Sequence, residues 1–354
     1  MSNLTRHLAE MGHECVVYCE SDHNGEEVEN GVRLIYMKGP RSNLLCKPWV
    51  GLKATIRTLI KEDDVTAIHY NAWPPSLWSP LARLFGATTM MMGHGHEWQR
   101  TKYSPRQQRI LRFMERLTAR TNRHLLMCSK AQSDYFREHY GRRSVTMPTA
   151  VELPPAEPPA SDILERTGIT PRRYILFLGR MVQDKNPDVL IRAFRAASLQ
   201  GYDLVMAGDN PADRPYVERL KALAGGEPSI HFTGAVYGAD KDALLRNAAL
   251  FCLPSTIEGL SIGLLEAISY RLPIIASDIE ANREVLPPDN ALWVKKEDDD
   301  SLTEALRRFA AGPGLLDEAC EANFENLRQN YLWSVVARDY ADYVQTITRS
   351  GYYE

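Results

Sequence analysis

The sequence predicts an α/β protein built from two doubly wound parallel-sheet domains, and three observations predict it. The chain has 354 residues, which is more than one ordinary hydrophobic core accommodates. Short apolar or β-branched runs alternate with helical patterns along the whole chain, which is typical of parallel sheets covered by helices on both faces. A proline-rich stretch, Leu153–Ser161 (LPPAEPPAS), excludes a continuous helix or central strand and therefore predicts an extended linker and hinge between the halves.

The first half opens with a helical pattern at Ser2–Met11, and five strands follow. These strands are predicted at Glu14–Cys19, Val32–Tyr36, Val65–Tyr70, Thr88–Gly93 and His124–Cys128. The helices between them are predicted near Gly51–Lys61, Ser76–Phe85, Pro105–Arg120 and Lys130–His139.

The second half shows the same alternation. Its strands are predicted at Tyr174–Gly179, Tyr202–Gly208, Ile230–Thr233, Leu250–Pro254 and Pro273–Ser277. A last helical run, Trp333–Thr348, carries apolar residues at helix-compatible spacing, so one of its faces must be buried.

Composition excludes several classes of protein. A net charge of −3 with 44% hydrophobic and 25% charged residues is that of a globular protein without general attraction for nucleic acid. There is no signal-peptide pattern at the start and no apolar run of the ~20 residues that a membrane span needs, so we expect a cytoplasmic protein. The six cysteines form no CxxC pair and are expected as buried, reduced thiols.

The acidic run Glu297–Asp300 precedes an amphipathic helix. Helix capping is the first interpretation of this run, because carboxylates are favourable at a helix N-terminus. A metal-binding DxD element is the alternative, but no further hard ligands lie nearby in the sequence.

A first candidate site follows the strand that begins at Tyr174. The strand runs into Gly179 and Arg180, and Lys185 follows at the expected start of the next helix. Ligands of open parallel sheets gather at the carboxyl ends of strands, so both cations are placed where an anion would bind. Arg180 offers a bidentate fork and Lys185 a point charge, a combination suited to a diphosphate, whereas two solvated surface cations are the alternative.

A second candidate site is the segment PSTIEGLSIGLLEA, which follows the apolar strand at Leu250. Backbone amides of Gly259, Leu260 and Ser261 precede a helix and are expected to receive phosphate oxygens. Glu258 is expected to accept hydrogen bonds from sugar hydroxyls, and Glu266, two turns deeper, from a ribose. Helix capping for Glu258 and an ordinary exposed position for Glu266 are the alternatives.

The pairing of GRMVQDKN with STIEGLSIGLLEA closely resembles the donor site of glycosyltransferase family 4, whose members have two Rossmann-like domains facing a cleft, the GT-B arrangement. The resemblance implies that Gly179, Arg180 and Lys185 hold the donor diphosphate and that Glu258 and Glu266, an E-x7-E pair, contact donor sugar and ribose. Arg271 replaces a glycine that is usual in the family, which puts the local geometry of a helix end in question.

In the first half, a strand ends at His94 within the segment HGHEWQRTK. This segment is most similar to bacterial rhamnosyltransferase-like members of the family that build surface polysaccharides. The resemblance implies that His94 contacts the donor sugar or the acceptor, whereas His96 occupies a position that is usually apolar. Asn71, Glu97, Trp98 and Arg100 are the acceptor-side candidates.

The resemblance also implies the domain organisation and the activity. We expect an acceptor-side domain over 1–152, a donor-binding domain over 153–333 and a terminal segment, 334–354, that crosses back onto the first domain. The expected activity is transfer of a hexose or deoxyhexose from a nucleoside diphosphate sugar to a glycan or lipid-linked acceptor, with retention of configuration and without a metal ion or other cofactor. His94, Glu258, Arg180 and Lys185 are the expected catalytic groups.

Basic residues recur around the helix that begins near Pro105, from Arg100 and Lys102 to Arg120 and Arg123, with interleaved apolar residues. This pattern suits an anionic membrane surface, in which case the protein is peripheral at the inner face of the membrane. A solvated helix whose apolar face packs on the sheet is the alternative.

One family element lacks a counterpart in the predicted elements, namely a first strand with its glycine-rich loop. Two other readings therefore stay open, a donor-binding partner subunit without transferase activity and a sugar-nucleotide epimerase, which would transform the donor without any acceptor.

Overall fold

The computed structural model describes residues 2–42, 45–95, 98 and 103–350. The chain divides into two compact units. The first comprises Met1–Thr149 together with Trp333–Glu354, and the second comprises Ala150–Leu332. Both units are α/β, as the alternation of apolar runs and helical patterns predicts.

The first unit contains seven strands and six helices within the described residues. Its strands are β1 (Cys15–Ser21), β2 (Gly25–Glu29), β3 (Val32–Lys38), β4 (Ile68–Asn71), β5 (Thr89–Gly93), β6 (His124–Met127) and β7 (Val145–Thr146). Its helices are α1 (Ser2–Glu10), α2 (Cys46–Lys61), α3 (Ser79–Leu84), α4 (Pro105–Thr121), α5 (Lys130–Tyr140) and α14 (Trp333–Ser350). A 3-10 turn, Pro75–Trp78, leads into α3.

The strands of the first unit form two sheets rather than one. The orders are β1-β3-β2 and β4-β5-β6-β7, and every pair is parallel except β2 with β3. The predicted strands all occur, with ends shifted by up to three residues. β2 is an addition that the sequence analysis missed, because its residues GEEVE are exposed on both faces and show no apolar alternation. β1 and β4 are edge strands of these two sheets, since within the described residues each has a neighbour on one side only.

The terminal helix α14 packs on the first unit through the face that periodicity predicts. Val336, Tyr340 and Ile347 are buried on that face. The Tyr340 hydroxyl donates to Nδ1 of His69 on β4 over 2.8 Å. The Nε2 atom of His69 is also buried and has no hydrogen-bond partner among the described residues. Burial, with a smaller contribution from His94, lowers the pKa of His69 to about 3.

His69, a half-buried residue whose Nε2 atom is buried, predicts a loss of stability in acid. Because the pKa of His69 falls from about 6.5 in the unfolded chain to about 3 in the folded protein, the unfolded chain binds one more proton between these pH values. The free energy of unfolding is therefore expected to decrease as the pH falls from 6.5 towards 3, by up to about 1.4 kcal/mol per pH unit from this group. Urea unfolding between pH 6.5 and pH 4 measures this slope.

A His69→Asn variant is expected to lose this contribution to the slope. Tyr340→Phe, which removes the hydroxyl partner but leaves the Nε2 atom buried, is expected to keep it. Parallel curves of unfolding free energy against pH for wild type and His69→Asn would contradict the assignment of this pH dependence to His69.

The second unit contains six strands and eight helices. Its strands are β8 (Tyr174–Leu178), β9 (Asp203–Ala207), β10 (Ile230–Gly234), β11 (Leu250–Leu253), β12 (Ile274–Ser277) and β13 (Leu292–Val294). Its helices are α6 (Ile163–Thr167), α7 (Pro187–Ala197), α8 (Arg214–Ala224), α9 (Gly238–Asn247), α10 (Ile262–Ser269), α11 (Glu280–Val285), α12 (Asp299–Ala311) and α13 (Asp317–Asn330). The predicted strands are all present, and β13 is an addition.

These six strands form a single parallel sheet in the order β10-β9-β8-β11-β12-β13. The strands β8, β11 and β12 are nearly continuous runs of buried apolar residues, as expected for a sheet covered on both faces. Two hydrophobic clusters lie on its two sides. The chain moves outward from β8 to β10 and then returns to β11, beside β8. The boundary between β8 and β11 is therefore the topological switch point.

Three further predictions concern the proline-rich stretch, the acidic run before α12 and the position of Arg271. The stretch Leu153–Ser161 contains no helix or strand. The acidic run caps α12, since the Asp298 carboxylate accepts from the amide of Ser301 over 2.8 Å, which confirms the capping interpretation. Arg271 adopts the left-handed conformation, with φ of 53°, that a glycine would adopt more easily at this helix end.

Two further features bear on the predictions from the sequence, namely the state of the cysteines and the length and polarity of the helices. All six cysteines are free thiols, four of them buried and two half-buried, as the sequence predicts. Within the part of the chain that the structure describes, none of the helices combines the length and apolar character that a membrane crossing requires.

Candidate functional site

Two loops meet at the switch point of the second unit, one after β8 and one after β11. Several hydrogen bonds join them: Asn186 Nδ2 donates to the carbonyl of Pro254 over 2.9 Å, and the amide and the hydroxyl of Thr256 donate to the carbonyl of Asp184 over 2.9 and 3.2 Å. The side chain of Asn186 is buried, so this connection is part of the core and not a surface contact. The sequence-predicted cations and the predicted acidic segment are therefore held side by side.

The loop after β8 carries Gly179, Arg180 and Lys185. A Cβ atom on Gly179 would lie 3.3 Å from Cδ of Lys185, so the small residue leaves room for the lysine side chain to cross the strand end. A 3-10 turn, Gln183–Lys185, then leads through Asn186, in the left-handed conformation, into α7 with Pro187 at its first position. The Arg180 side chain is exposed and has no hydrogen-bond or ion-pair partner among the described residues.

The loop after β11 carries Glu258 and leads into α10. Ser261 is the N-cap residue, since its hydroxyl accepts from the amide of Leu264 over 3.4 Å. Glu258 therefore does not cap this helix, and the capping alternative for Glu258 is wrong. In the described part of the chain, the amides of Gly259, Leu260 and Ser261 donate to no protein acceptor, which leaves these donors available ahead of the helix.

The Lys185 ammonium and the Glu258 carboxylate are in direct contact. Lys185 Nζ lies 2.7 Å from Glu258 Oε1, and only 17% and 11% of the two side chains are exposed. The Ser255 hydroxyl donates to the same carboxylate oxygen over 2.8 Å, and Ser255 is fully buried. The ion pair fixes both side chains at the switch point. The sequence analysis assigned Lys185 to the diphosphate and Glu258 to the attached sugar, so it did not predict their direct contact. Ser255 was missed there because a serine in a loop carries no distinguishing signal.

Glu266 is a second acidic residue of the site and is also engaged. It lies on α10, is half-buried, and its Oε1 accepts from Lys241 Nζ of α9 over 2.5 Å. The alternative of an ordinary exposed helix residue is wrong for this position. Lys241 was not predicted as a site residue, because its pairing with Glu266 depends on the packing of α9 against the sheet.

In the first unit, the structure brings together two of the predicted residues. His94 follows β5 and Asn71 ends β4, and these strands are neighbours in register. The His94 Nε2 atom is hydrogen-bonded to Asn71 Oδ1, and His94 is exposed. Neighbouring parallel strands thus present both side chains at their carboxyl ends, where ligands of such sheets are found. Of the other predicted residues here, His96, Glu97, Arg100 and Lys102 lie outside the described residues.

Trp98 is anchored by a glutamate of α4 that the sequence analysis did not assign to the site. The Trp98 indole donates to Glu115 Oε2 over 3.1 Å, and the Tyr140 hydroxyl donates to Glu115 Oε1 over 2.8 Å. Glu115 is fully buried on the inner face of α4. The Arg112 guanidinium lies 4.2 Å from the centre of the Trp98 ring. These contacts hold Trp98 in position within the predicted acceptor-side segment.

The arrangement at the switch point suits an anionic ligand with attached hydroxyl groups. Arg180, Lys185 and three available amides supply positive potential and donors, and Glu258 supplies an acceptor beside them. Among the residues described, no group of three or more His, Cys, Asp or Glu side chains is placed to hold a metal ion. A separate concavity of about 720 Å³ in the first unit lies between β2, β3 and α2 and contains none of the predicted site residues.

The two α/β units have the GT-B fold that solved glycosyltransferase structures share. Residues 1–153 match the family model for Glycosyltransferase Family 4, and residues 161–326 match the model for Glycosyl transferases group 1. The two matches follow one another along the chain and together span most of it. The predicted fold class is confirmed.

Known proteins resemble this chain over different lengths. A GDP-mannose-dependent alpha-(1-6)-phosphatidylinositol monomannoside mannosyltransferase of Mycolicibacterium smegmatis is 26% identical over 85% of this chain and 82% of its own length. A phosphatidyl-myo-inositol mannosyltransferase of Mycobacterium leprae is 33% identical over 51% of this chain and 48% of its own length. For several of its curated relatives, the chain spans slightly less than half of their length.

Among solved structures, a sucrose-phosphate synthase from Thermosynechococcus elongatus aligns with a TM-score of 0.81 over 98% of this chain and 92% of its own. The two sequences are 18% identical, so the likeness concerns the fold.

Proposed function

We propose that the protein transfers a hexose or deoxyhexose from a nucleoside diphosphate sugar to a glycan or lipid-linked acceptor, in surface polysaccharide or glycoconjugate synthesis. The observation that carries this proposal is the contact of Lys185 with Glu258 at the switch point, beside the exposed Arg180 and the available amides of Gly259, Leu260 and Ser261. The negatively charged oxygens of a diphosphate are bound by the cations and the amide donors, and the hydroxyl groups of the attached sugar donate hydrogen bonds to the carboxylate.

The chemistry depends on stabilising the leaving group. As the bond from the anomeric carbon to the diphosphate oxygen breaks, negative charge develops on the diphosphate. Lys185, which is held by Glu258, and the amides before α10 are fixed before the reaction, and the exposed Arg180 is free to reach the diphosphate, so that together they stabilise this charge. Glu258 orients the sugar hydroxyls and Glu266 the ribose. His94, held by Asn71, orients the donor sugar or the acceptor. The incoming hydroxyl forms its bond to the anomeric carbon on the face from which the diphosphate leaves and gives its proton to an oxygen of the departing diphosphate, which retains the anomeric configuration.

A ligand panel tests the donor class. We expect one nucleoside diphosphate among UDP, GDP and TDP, and its sugar, to raise the thermal unfolding midpoint, because a ligand that binds the native state stabilises it by mass action. GDP and GDP-mannose are the first candidates, since a relative similar over most of the chain is named as GDP-mannose-dependent. No shift with any member of the panel contradicts the proposal. Binding without turnover favours a donor-binding partner subunit, and conversion of the donor sugar without acceptor favours an epimerase.

Metal independence is a separate expectation. Because Arg180 and Lys185 stabilise the diphosphate, transfer is expected to continue at an unchanged rate after treatment with EDTA. The measurement is product formation before and after chelation, with readdition of Mg²⁺ or Mn²⁺ as the control. Activity that disappears with EDTA and returns with the metal ion contradicts this expectation. The anomeric configuration of the product, determined by NMR, tests retention.

A further inference from the structure

Three buried polar side chains lie beside the switch-point site, at the ends of β11 and β12. Ser255 lies in the loop after β11, Ser277 is the last residue of β12, and Asn282 lies on α11. Their exposed fractions are 0%, 0% and 1%. A buried polar group costs free energy unless it is hydrogen-bonded, so the partners of these side chains identify the part of the site that they hold.

The hydrogen bonds of these three side chains run in series towards Glu258. Asn282 Nδ2 donates to the carbonyl of Ser277 over 2.9 Å and to its hydroxyl oxygen over 3.3 Å. The Ser277 hydroxyl donates to the carbonyl of Ser255, and the Ser255 hydroxyl donates to Glu258 Oε1 over 2.8 Å. Ser277 thus fixes the backbone of Ser255, and Ser255 in turn fixes the carboxylate. Since a hydroxyl group has a single proton, the Ser255 hydroxyl is committed to Glu258.

The two oxygen atoms of the Glu258 carboxylate are used differently. Oε1 accepts from Lys185 Nζ over 2.7 Å and from the Ser255 hydroxyl over 2.8 Å. Among the residues that the structure describes, none donates a hydrogen bond to Oε2. Each carboxylate oxygen offers two acceptor sites, so Oε1 is fully used and Oε2 is available to a ligand. The two donors on Oε1 also set the plane of the carboxylate group, and with it the direction in which Oε2 points.

We infer that Ser255 is a positioning residue that aims Oε2 of Glu258 at a hydroxyl group of the donor sugar. The inference rests on the proposed function, in which Glu258 accepts hydrogen bonds from that sugar. Lys185 alone does not fix this direction, because an ammonium group is a point charge that attracts either carboxylate oxygen. Ser255 distinguishes the two oxygens, since it is fully buried and its backbone is held by Ser277. It therefore determines which oxygen atom is left for the sugar.

Donors that lack one hydroxyl group test the inference. They are monodeoxy forms of the nucleoside diphosphate sugar that the ligand panel identifies, and kcat/KM and the dissociation constant are measured for each with the full chain. In wild type, loss of the hydroxyl that donates to Oε2 is expected to lower kcat/KM about 30-fold, the typical effect of a hydrogen bond to a charged group.

In Ser255→Ala, kcat/KM for the natural donor is expected to fall about 10- to 30-fold, because the carboxylate loses a buried donor. The penalty for the one missing hydroxyl is expected to shrink to about threefold, since the residue and the hydroxyl act through the same carboxylate. The penalties at the other positions, and the affinity for the nucleoside diphosphate without its sugar, are expected to stay as in wild type.

Two further variants separate positioning from packing. Ser269→Ala is the matched control, because Ser269 is a buried serine of the same unit, 3% exposed, whose hydroxyl donates to the carbonyl of Glu266 over 2.7 Å. It is expected to keep the wild-type penalty at every position. Ser277→Ala removes the bond that holds Ser255 and is expected to act in the same direction as Ser255→Ala, but less strongly. The double variant Ser255→Ala/Ser277→Ala is expected to give the same penalties as Ser255→Ala, since both substitutions break one series of bonds.

Three outcomes overturn the inference, provided that urea unfolding shows the variants to be folded. The wild-type penalty at every position in Ser255→Ala means that Ser255 does not direct Glu258. An equal loss with every donor means that the role of Ser255 is structural. A wild-type protein that discriminates against none of the deoxy donors means that Oε2 contacts no sugar hydroxyl. Failure of the proposed function is distinguishable, since wild type then binds no nucleoside diphosphate sugar at all, and the inference falls with it.

Discussion

A Lys185→Met variant is expected to lower kcat/KM for sugar transfer by a factor of about 100 to 1,000. Lys185 is the charged group nearest to Glu258, with 2.7 Å between Nζ and Oε1, and it lies at the switch point where the diphosphate is proposed to bind. Removing one preorganised group that stabilises developing negative charge typically costs a factor of this size. The variant also leaves the carboxylate of Glu258, which is 11% exposed, without its cation, so that a negative charge opposes the diphosphate.

A lysine on the surface of the same unit provides the control. Lys221 Nζ pairs with Glu218 over 3.0 Å, and both side chains are about half exposed, so Lys221→Met removes an ion pair that has no connection with the site. It is expected to keep wild-type kcat/KM, and Lys185→Arg is expected to retain more activity than Lys185→Met. Steady-state rates with the donor identified by the ligand panel provide the measurement. If Lys185→Met stays within about threefold of wild type while remaining folded, the proposed role of the residue is incorrect.

The switch-point site was largely predictable, because each of its residues is defined by local sequence. Arg180 follows a strand after a single glycine, and Lys185 immediately precedes the asparagine and proline that begin a helix. Glu258 lies in a glycine-containing turn before another helix. Parallel strands that are neighbours bring such loops together. The contact between Lys185 and Glu258 was not predictable, because it joins residues 73 positions apart and depends on the order of strands in the sheet. The same holds for Lys241 with Glu266.

The first unit shows the limit of hydrophobic periodicity. Periodicity identifies which residues of α4 share a face, but it does not say which face packs inward. The inner face of α4 holds a buried glutamate, which is stable there because Trp98 and Tyr140 donate hydrogen bonds to it. A pattern of apolar residues alone therefore assigns the wrong side of the helix to the core. The exposed hairpin strand β2 was missed for a related reason, since no residue of GEEVE is buried.

The largest effect on stability is expected for Gly208→Ala, at the end of β9. Gly208 has a φ of 151°, in a region that residues with side chains rarely adopt, and a Cβ atom there would overlap the carbonyl oxygen of Gly179 and lie 2.8 Å from its carbonyl carbon. The obstacle is backbone, so no side-chain rotation relieves it. We expect the free energy of unfolding to decrease by about 2–4 kcal/mol, from backbone strain and steric overlap together.

The same substitution is expected to weaken donor binding, because the peptide that must move is the one directly before Arg180. Gly179 is held from the other side, since its amide donates to the carbonyl of Ala207 over 3.0 Å. Gly312→Ala is the matched control, because a Cβ atom at that helix end meets nothing within 4 Å and the backbone φ of −146° suits alanine. Urea unfolding gives the stabilities, and the nucleotide-induced thermal shift reports on the site. If Gly208→Ala is as stable as Gly312→Ala, the ends of β8 and β9 are not in close contact. The loop that carries Arg180 and Lys185 then lacks the backbone support inferred for it.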